Sequence, residues 1–368
     1  MIQIKLHEFV VKAYTNYNVQ FKLTSDKSIS TYFIEDTHFN SLEISSTSTK
    51  FDYFNGALTK ITVVCNYQDE CEVEMIESPT IIKQISMNTI LQITFMEDMK
   101  RGYDLQPYNN DYAPAIFYGI LDNIDMNRLR KNKSLKVIVW IGGDMNHNVN
   151  ISKKETMNQL ARIKEIKCMT KIKHIAISSF ISNSLSLIAL PHKFVPFMGV
   201  DFSLYIPVTK GPCIYLYTNS ALVTGGQYYG SEMYFRLMKK YSNIEFKVAC
   251  CKHAFNTTIK TKNNPININY YDRATLVSTI YSSCFIGLRL TYHDGLAATV
   301  QELGLLGIKT IHNGCSPSSL NYNSFEDICD HIDREIATIG TVDAEMAAKV
   351  RDYLTIDKSF FSTESYQT

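Results

Sequence analysis

Two acidic residues, Asp294 and Glu302, stand eight positions apart in the segment 289–311, RLTYHDGLAATVQELGLLGIKTI. The run GLAATVQELGLLG has helical periodicity, and Gly307 is placed to close it as a C′ glycine. Asp294 then falls at or just before the first turn, where a carboxylate caps free backbone N–H groups. Glu302 lies about 12 Å further along at ~1.5 Å per residue and only about 80° around the axis, so both acids face one side. The helix start between them offers unpaired N–H groups and a positive dipole end, which suit a diphosphate. A carboxylate accepting two hydrogen bonds from a cis-diol is a common reader of ribose. The spacing therefore predicts two acids bracketing one diphosphate, a sugar toward Asp294 and ribose toward Glu302. The plainer alternative makes Asp294 an N-cap and Glu302 a solvated helix residue. Against it stand the preceding strand, Arg289 at its end, Gly295, and a glycine-stopped helix leading into another strand.

Those residues need a scaffold. Residues 1 to about 85 alternate apolar and polar side chains rich in Val, Ile, Thr, Tyr and Phe, which predicts five or more short strands in an antiparallel sheet or sandwich. From about residue 88 strands and helices alternate. TILQITFME is expected as a strand, AIFYGIL and KVIVWIGGD as buried parallel strands, and DNIDMNRLRKNK as a helix. SKKETMNQLARIKEI follows as a helix with a capping box at Ser152 and Glu155. YIPVTKGP, residues 205–212, is expected to be a linker, after which the alternation restarts and ends in two amphipathic helices. The fold class is therefore α/β: two Rossmann-like domains, 88–207 and 208–368, preceded by an all-β module, 1–87. Ligands of such sheets bind beyond the carboxyl ends of the strands.

The stretch 289–311 resembles the donor-binding segment of GT-B glycosyltransferases of the retaining Glu-x7-Glu kind. Its Arg-x-Thr-x-x-Asp-Gly start is similar to bacterial and large-DNA-virus members, and the turn WIGGD after a strand resembles their N-terminal domain. The resemblance covers about residues 88–355. It implies that Glu302 holds the donor ribose and that Asp294 contacts the donor sugar, with backbone N–H groups near Ala297, Ala298 and Thr299 on the diphosphate. It further implies a nucleotide-diphosphate sugar, UDP- or GDP-linked, as donor and a glycan, protein or small-molecule hydroxyl as acceptor, with retention and no cofactor or metal. The chain departs from the pattern in having Asp at the first acid and no basic pair in YTNSALVTGGQYYGSE. That stretch offers Thr218 and Asn219 instead, and Arg289, rather than Lys210 or Lys252, is the preferred phosphate cation.

Further candidates follow from position. Asp144, in a Gly142-Gly143-Asp144 turn after a strand, is read as a contact to acceptor or donor sugar, or else the turn merely uses glycine's freedom. His293 adjoins Asp294 and is a candidate for the sugar or a phosphate oxygen; His147 is a weaker candidate base. Glu97 and Asp98 are read as ending the first strand of the second domain, and Tyr270 and Tyr271 as stacking near the base.

The 37 basic and 36 acidic residues leave a net charge of +1, which gives no reason to expect nucleic acid or an anionic membrane. No apolar run reaches the ~20 residues of a membrane span. The start lacks a basic region followed by an apolar block, and nine irregularly spaced cysteines suit a reducing compartment. A cytoplasmic protein, in host cytoplasm if viral, is expected. The P-loop, G-x-S-x-G and H-E-x-x-H patterns are absent. Two competitors to glycosyl transfer remain: a nucleotide-sugar epimerase or hydrolase on the same scaffold, and a non-catalytic viral binding or structural protein that keeps it.

Overall fold

The computed structural model describes residues 3–10, 15–23, 30–34, 50–55, 60–67, 71–78, 81–111, 113–142, 144, 153–218, 230–250, 257–260, 265–269, 271–291 and 294–366. Its first six strands are β1 (Gln3–Val10), β2 (Thr15–Leu23), β3 (Ser30–Ile34), β4 (Lys50–Asn55), β5 (Lys60–Tyr67) and β6 (Cys71–Ser78). They form two three-stranded antiparallel sheets, ordered β1-β5-β3 and β4-β2-β6. The alternating pattern of this region thus forms strands, and no helix lies among its described residues.

The second sheet system holds β7 (Gln84–Ser86), β8 (Gln106–Pro107), β9 (Ala115–Tyr118), β10 (Lys136–Trp140), β11 (Ile172–Ala176) and β12 (Lys193–Phe194), all parallel, in the order β12-β11-β10-β9-β7-β8. Helices α1 (Thr89–Tyr103), α2 (Asn123–Lys131), α3 (Lys153–Lys167) and α4 (Ser179–Leu187) connect them. The apolar runs of β9 and β10 are buried along their whole length, as strands covered on both faces must be.

One expectation fails here. TILQITFME is not a strand but the body of α1. Its β-type residues are overridden by Asn88, whose side chain accepts from Leu91 N–H at 2.9 Å as an N-cap. Leu91, Phe95, Met96 and Met99 then fall on one helical face against the core. Parallel neighbours also require a crossover, and α1 supplies it between β7 and β8. Glu97 and Asp98 consequently lie in the second half of a helix rather than at a strand end.

The third system contains β13 (Cys213–Thr218), β14 (Phe246–Cys250), β15 (Thr257–Lys260), β16 (Pro265–Asn269), β17 (Cys284–Leu288), β18 (Lys309–Ile311) and β19 (Ser319–Leu320). Their order is β15-β16-β14-β13-β17-β18-β19, parallel except for β15 against β16. Its helices are α5 (Ser231–Lys240), α6 (Arg273–Thr275), α7 (Ala298–Leu305), α8 (Phe325–Ile336) and α9 (Ala344–Leu354). Gly307, at φ +82°, ends the α7 segment as its sequence position predicts. After α9 the chain returns to the first parallel sheet. Phe360, Phe361 and Tyr366 join that sheet's core, and Ile82 N–H donates to Phe361 O at 2.6 Å. Among the described residues no helix is long and apolar enough to cross a membrane.

Candidate functional site

The site is built where strand connections reverse. In the third system the chain leaves β13 toward β14 and β16 on one side, then recrosses to β17, β18 and β19 on the other. In sheets of this kind ligands bind in the crevice past the carboxyl ends at such a reversal, here the ends of β13 and β17. β13 ends at Thr218, which is fully buried, and β17 at Leu288. Tyr234 of α5 staples these two ends together. Its hydroxyl donates to Tyr217 O at 3.2 Å and accepts from Leu290 N–H at 3.0 Å.

Past β17, Arg289 lies beside the end of β13 and Asp294 beside Arg289. The Arg289 guanidinium lies 4.0 Å from the centre of the Tyr217 ring, a cation–π stack that fixes its plane. From there Nε and Nη2 donate to Asp294 Oδ2, at 2.8 and 2.6 Å. Asp294 Oδ1 accepts from Gly295 N–H at 2.9 Å. Burial alone would push the Asp294 carboxyl up. The charges of Arg289 and His312, with the bonds from Arg289 and Gly295, outweigh it and hold Asp294 below the usual carboxylate range. His312, itself buried, pairs through Nδ1 with Arg289 O at 3.1 Å, and burial lowers its pKa. Arg289, expected as a phosphate cation, is thus first of all the partner of Asp294.

Asp294 is not an N-cap. α7 begins four residues later, its N-cap residue is Ala297, and no side chain caps it. Among the described residues, the N–H groups of Ala298 and Thr299 in the first turn therefore have no side-chain cap. Two hydroxyls here, Thr291 Oγ1 and Thr299 Oγ1, are buried with no hydrogen-bond partner among the described residues. Thr291 is the threonine of the Arg-x-Thr-x-x-Asp-Gly start, a pattern that by itself assigns it no role.

The same loop meets the first parallel sheet. A Cβ on Gly295 would fall 2.3 Å from Ile141 O, so only glycine permits this approach. Leu296 packs against the cores of both sheets. Ile141 belongs to the turn after β10 that carries Asp144. Asp144 does not face the crevice: it is 2% exposed, and its carboxylate turns back on its own backbone. Oδ1 accepts from Ile141 and Gly142 N–H at 3.1 and 3.0 Å, and Oδ2 from Ile120 N–H at 3.3 Å. It ties the ends of β9 and β10 together, and burial, set against those bonds, pushes its pKa up to about 6. Gly142 sits at φ +112°, so the turn does use glycine's freedom.

Glu302 is also placed differently from expectation. It is neither solvated nor open to the crevice, but 5% exposed. Oε1 pairs with Arg273 Nη2 at 3.0 Å, and Oε2 accepts from Tyr281 OH at 2.9 Å. Burial raises its pKa, partly offset by Arg273. Tyr271 is half-buried and accepts from Asn269 Nδ2 at 3.1 Å. Lys210 is buried against Glu335 at 3.3 Å, where it serves the α8 end and not the crevice. His293, Asn219, His147, Gly143, Tyr270, Lys252 and Ser152 lie outside the described residues.

No family model and no curated protein matches the chain. Solved structures similar to it include a sucrose-phosphate synthase from Thermosynechococcus elongatus, with TM-score 0.47 and 12% identity over 73% of each chain. A UDP-forming α,α-trehalose-phosphate synthase from Burkholderia xenovorans gives TM-score 0.45 and 10% identity over 75% of this chain and 77% of that one. TarM from S. aureus, solved with UDP and α-GlcNAc-glycerol, gives TM-score 0.45 and 13% identity; the match covers 68% of this chain and 53% of TarM.

Proposed function

We propose that this chain is a glycosyltransferase that takes a nucleotide-diphosphate sugar past the carboxyl ends of β13 and β17. The observation that carries the reading is the uncapped start of α7, flanked by the unpartnered hydroxyls of Thr291 and Thr299 and by the Arg289–Asp294 pair. N–H donors, a positive helix end and two unsatisfied hydroxyls are complementary to diphosphate oxygens. Asp294, ionised and held by Arg289, is positioned for hydroxyls of the donor sugar. Asp144 shapes the facing wall through the loops it ties.

In the transfer, the bond from the anomeric carbon to the diphosphate oxygen breaks, and the acceptor oxygen bonds to that carbon. The acceptor proton passes to an oxygen of the leaving diphosphate. If departure and attack share one face, the configuration is retained and no protein nucleophile is needed. The α7 dipole and Arg289 would stabilise the leaving charge without a metal. A second reading, a non-catalytic protein that keeps the fold, is favoured by one observation: Arg289, the phosphate cation preferred from the sequence, is already paired with Asp294.

A thermal-shift screen against UDP, GDP and their sugars tests the reading. A ligand at a hundred times its Kd adds about 2.7 kcal/mol of stability. We expect a shift with one nucleotide sugar, slow nucleotide release from it, and faster release with a hydroxyl acceptor. Asp294→Asn should slow release at least tenfold while free nucleotide still binds. Turnover independent of acceptor would indicate a hydrolase or epimerase, and no shift with any nucleotide would favour the non-catalytic reading.

A further inference from the structure

A single guanidinium joins the two parallel-sheet units at a point the sequence did not mark. Arg273, the first residue of α6, donates through Nη1 to Asp98 Oδ2 of α1. Through Nη2 it reaches Glu302 Oε1 of α7 at 3.0 Å and the hydroxyl of Tyr205, in the linker between the units, also at 3.0 Å. The guanidinium also lies 5.7 Å from the centre of the Phe95 ring, again on α1. Asp98 is further held by Arg101 at 2.9 Å, and Arg101 by Asp201 at 3.0 Å. The side chains of Asp98 and Glu302 are 5% and 6% exposed. Two buried carboxylates from opposite units thus share one cation, and removing it would take the cationic partner from Glu302 and leave Asp98 with Arg101.

Geometry links this clamp to the proposed donor end. Glu302 is four residues from Ala298 on α7, so the two share one helix face. The bond to Oε1 therefore sets the rotation and the depth of the helix whose first turn faces the crevice. The carboxylate is also occupied: Arg273 takes one oxygen and Tyr281 the other.

We propose that Arg273 is a positioning residue that clamps α7 to α1 through Glu302 and Asp98, and that Glu302 in this chain anchors the clamp instead of holding ribose. The second half of this inference rests on the nucleotide-binding reading above; the first does not. A planar fork spans the two acids and a tyrosine, which a lysine ammonium cannot match.

Hydrogen exchange on the full chain tests the clamp without any ligand. Asp98→Asn changes one atom in the first unit. Exchange in 298–305, in the other unit, should accelerate at least tenfold, as it should in Arg273→Gln and in Arg273→Lys. Acceleration confined to 89–103 in Asp98→Asn, or full protection in Arg273→Lys, overturns the proposal. The second arm compares the Kd of UDP with that of 2′-deoxy-UDP. The ratio should stay within twofold between wild type and Glu302→Gln; collapse of a wild-type preference for UDP would make Glu302 a ribose ligand and overturn its anchor role. If neither nucleotide binds wild type, the donor reading fails, and the exchange experiment still decides the clamp.

Discussion

At the scale of single residues, burial separates what four acids do. Asp294 and Asp144 were both read as contacts to sugar, yet Asp294 meets Arg289 at the crevice while Asp144 is sealed under three backbone N–H groups. Glu302 and Asp98, expected at open positions, share Arg273 instead. Asp144 gives a pH prediction of definite sign. Its carboxyl rises from 3.8 to about 6 on folding, so the folded chain holds the proton more tightly. That contribution is fully present below the unfolded value and is lost as pH rises through about 6, a change of about 3 kcal/mol. Relative to Asp144→Asn, which does not titrate, wild type should lose stability between pH 4 and pH 7. Denaturant unfolding of both proteins at several pH values measures it, and a flat difference would show that Asp144 is not buried as described.

At the scale of elements, caps and periodicity decided most outcomes. Within 289–311, α7 and β18 form as the pattern demands, and Gly307 stops the helix. α1 went the other way because the nine residues TILQITFME look like a strand until Asn88 and the burial of Met96 and Met99 are known. The α5 contribution was invisible for another reason: Tyr234 is one of 23 tyrosines. Its hydroxyl acts only because β13 and β17, 66 or more residues apart in the chain, become neighbours at their ends. Tyr234→Phe removes the acceptor of a buried N–H at Leu290 and should cost about 1–3 kcal/mol. The loss should appear as faster amide exchange at Leu290, with α8 and α9 unaffected.

At the scale of the whole molecule, each unit depends on chain segments assigned by order to the other. The final residues 357–366 follow the second parallel unit in sequence but complete the core of the first, where Phe360 and Phe361 are each 8% exposed. Phe361→Ala should cost about 3–5 kcal/mol, as large-to-small changes in a core do. The effect belongs to one unit. Exchange should rise in β7 and β9 and stay unchanged in β13 and β17, and equal loosening of both sheets would contradict this packing. Contacts between the units among the described residues include Gly295 on Ile141 and Arg273 between Asp98 and Glu302. Both involve the loop or helix expected to hold the donor, so nucleotide binding and unit orientation should be coupled.

The α/β alternation and the glycine-stopped helix were legible in the chain before its fold was known. These depend on periodicity, caps and turn residues, which act within a few positions of the chain. Folding alone brought Asp144 to the loops it ties, set Arg289 against Asp294, and placed Glu302 on Arg273, which holds Asp98. Such roles depend on which charges are buried beside which, over separations as long as the 175 residues between Asp98 and Arg273. No local pattern encodes that distance, because the cost of burying a carboxylate is set by the partners that folding brings to it.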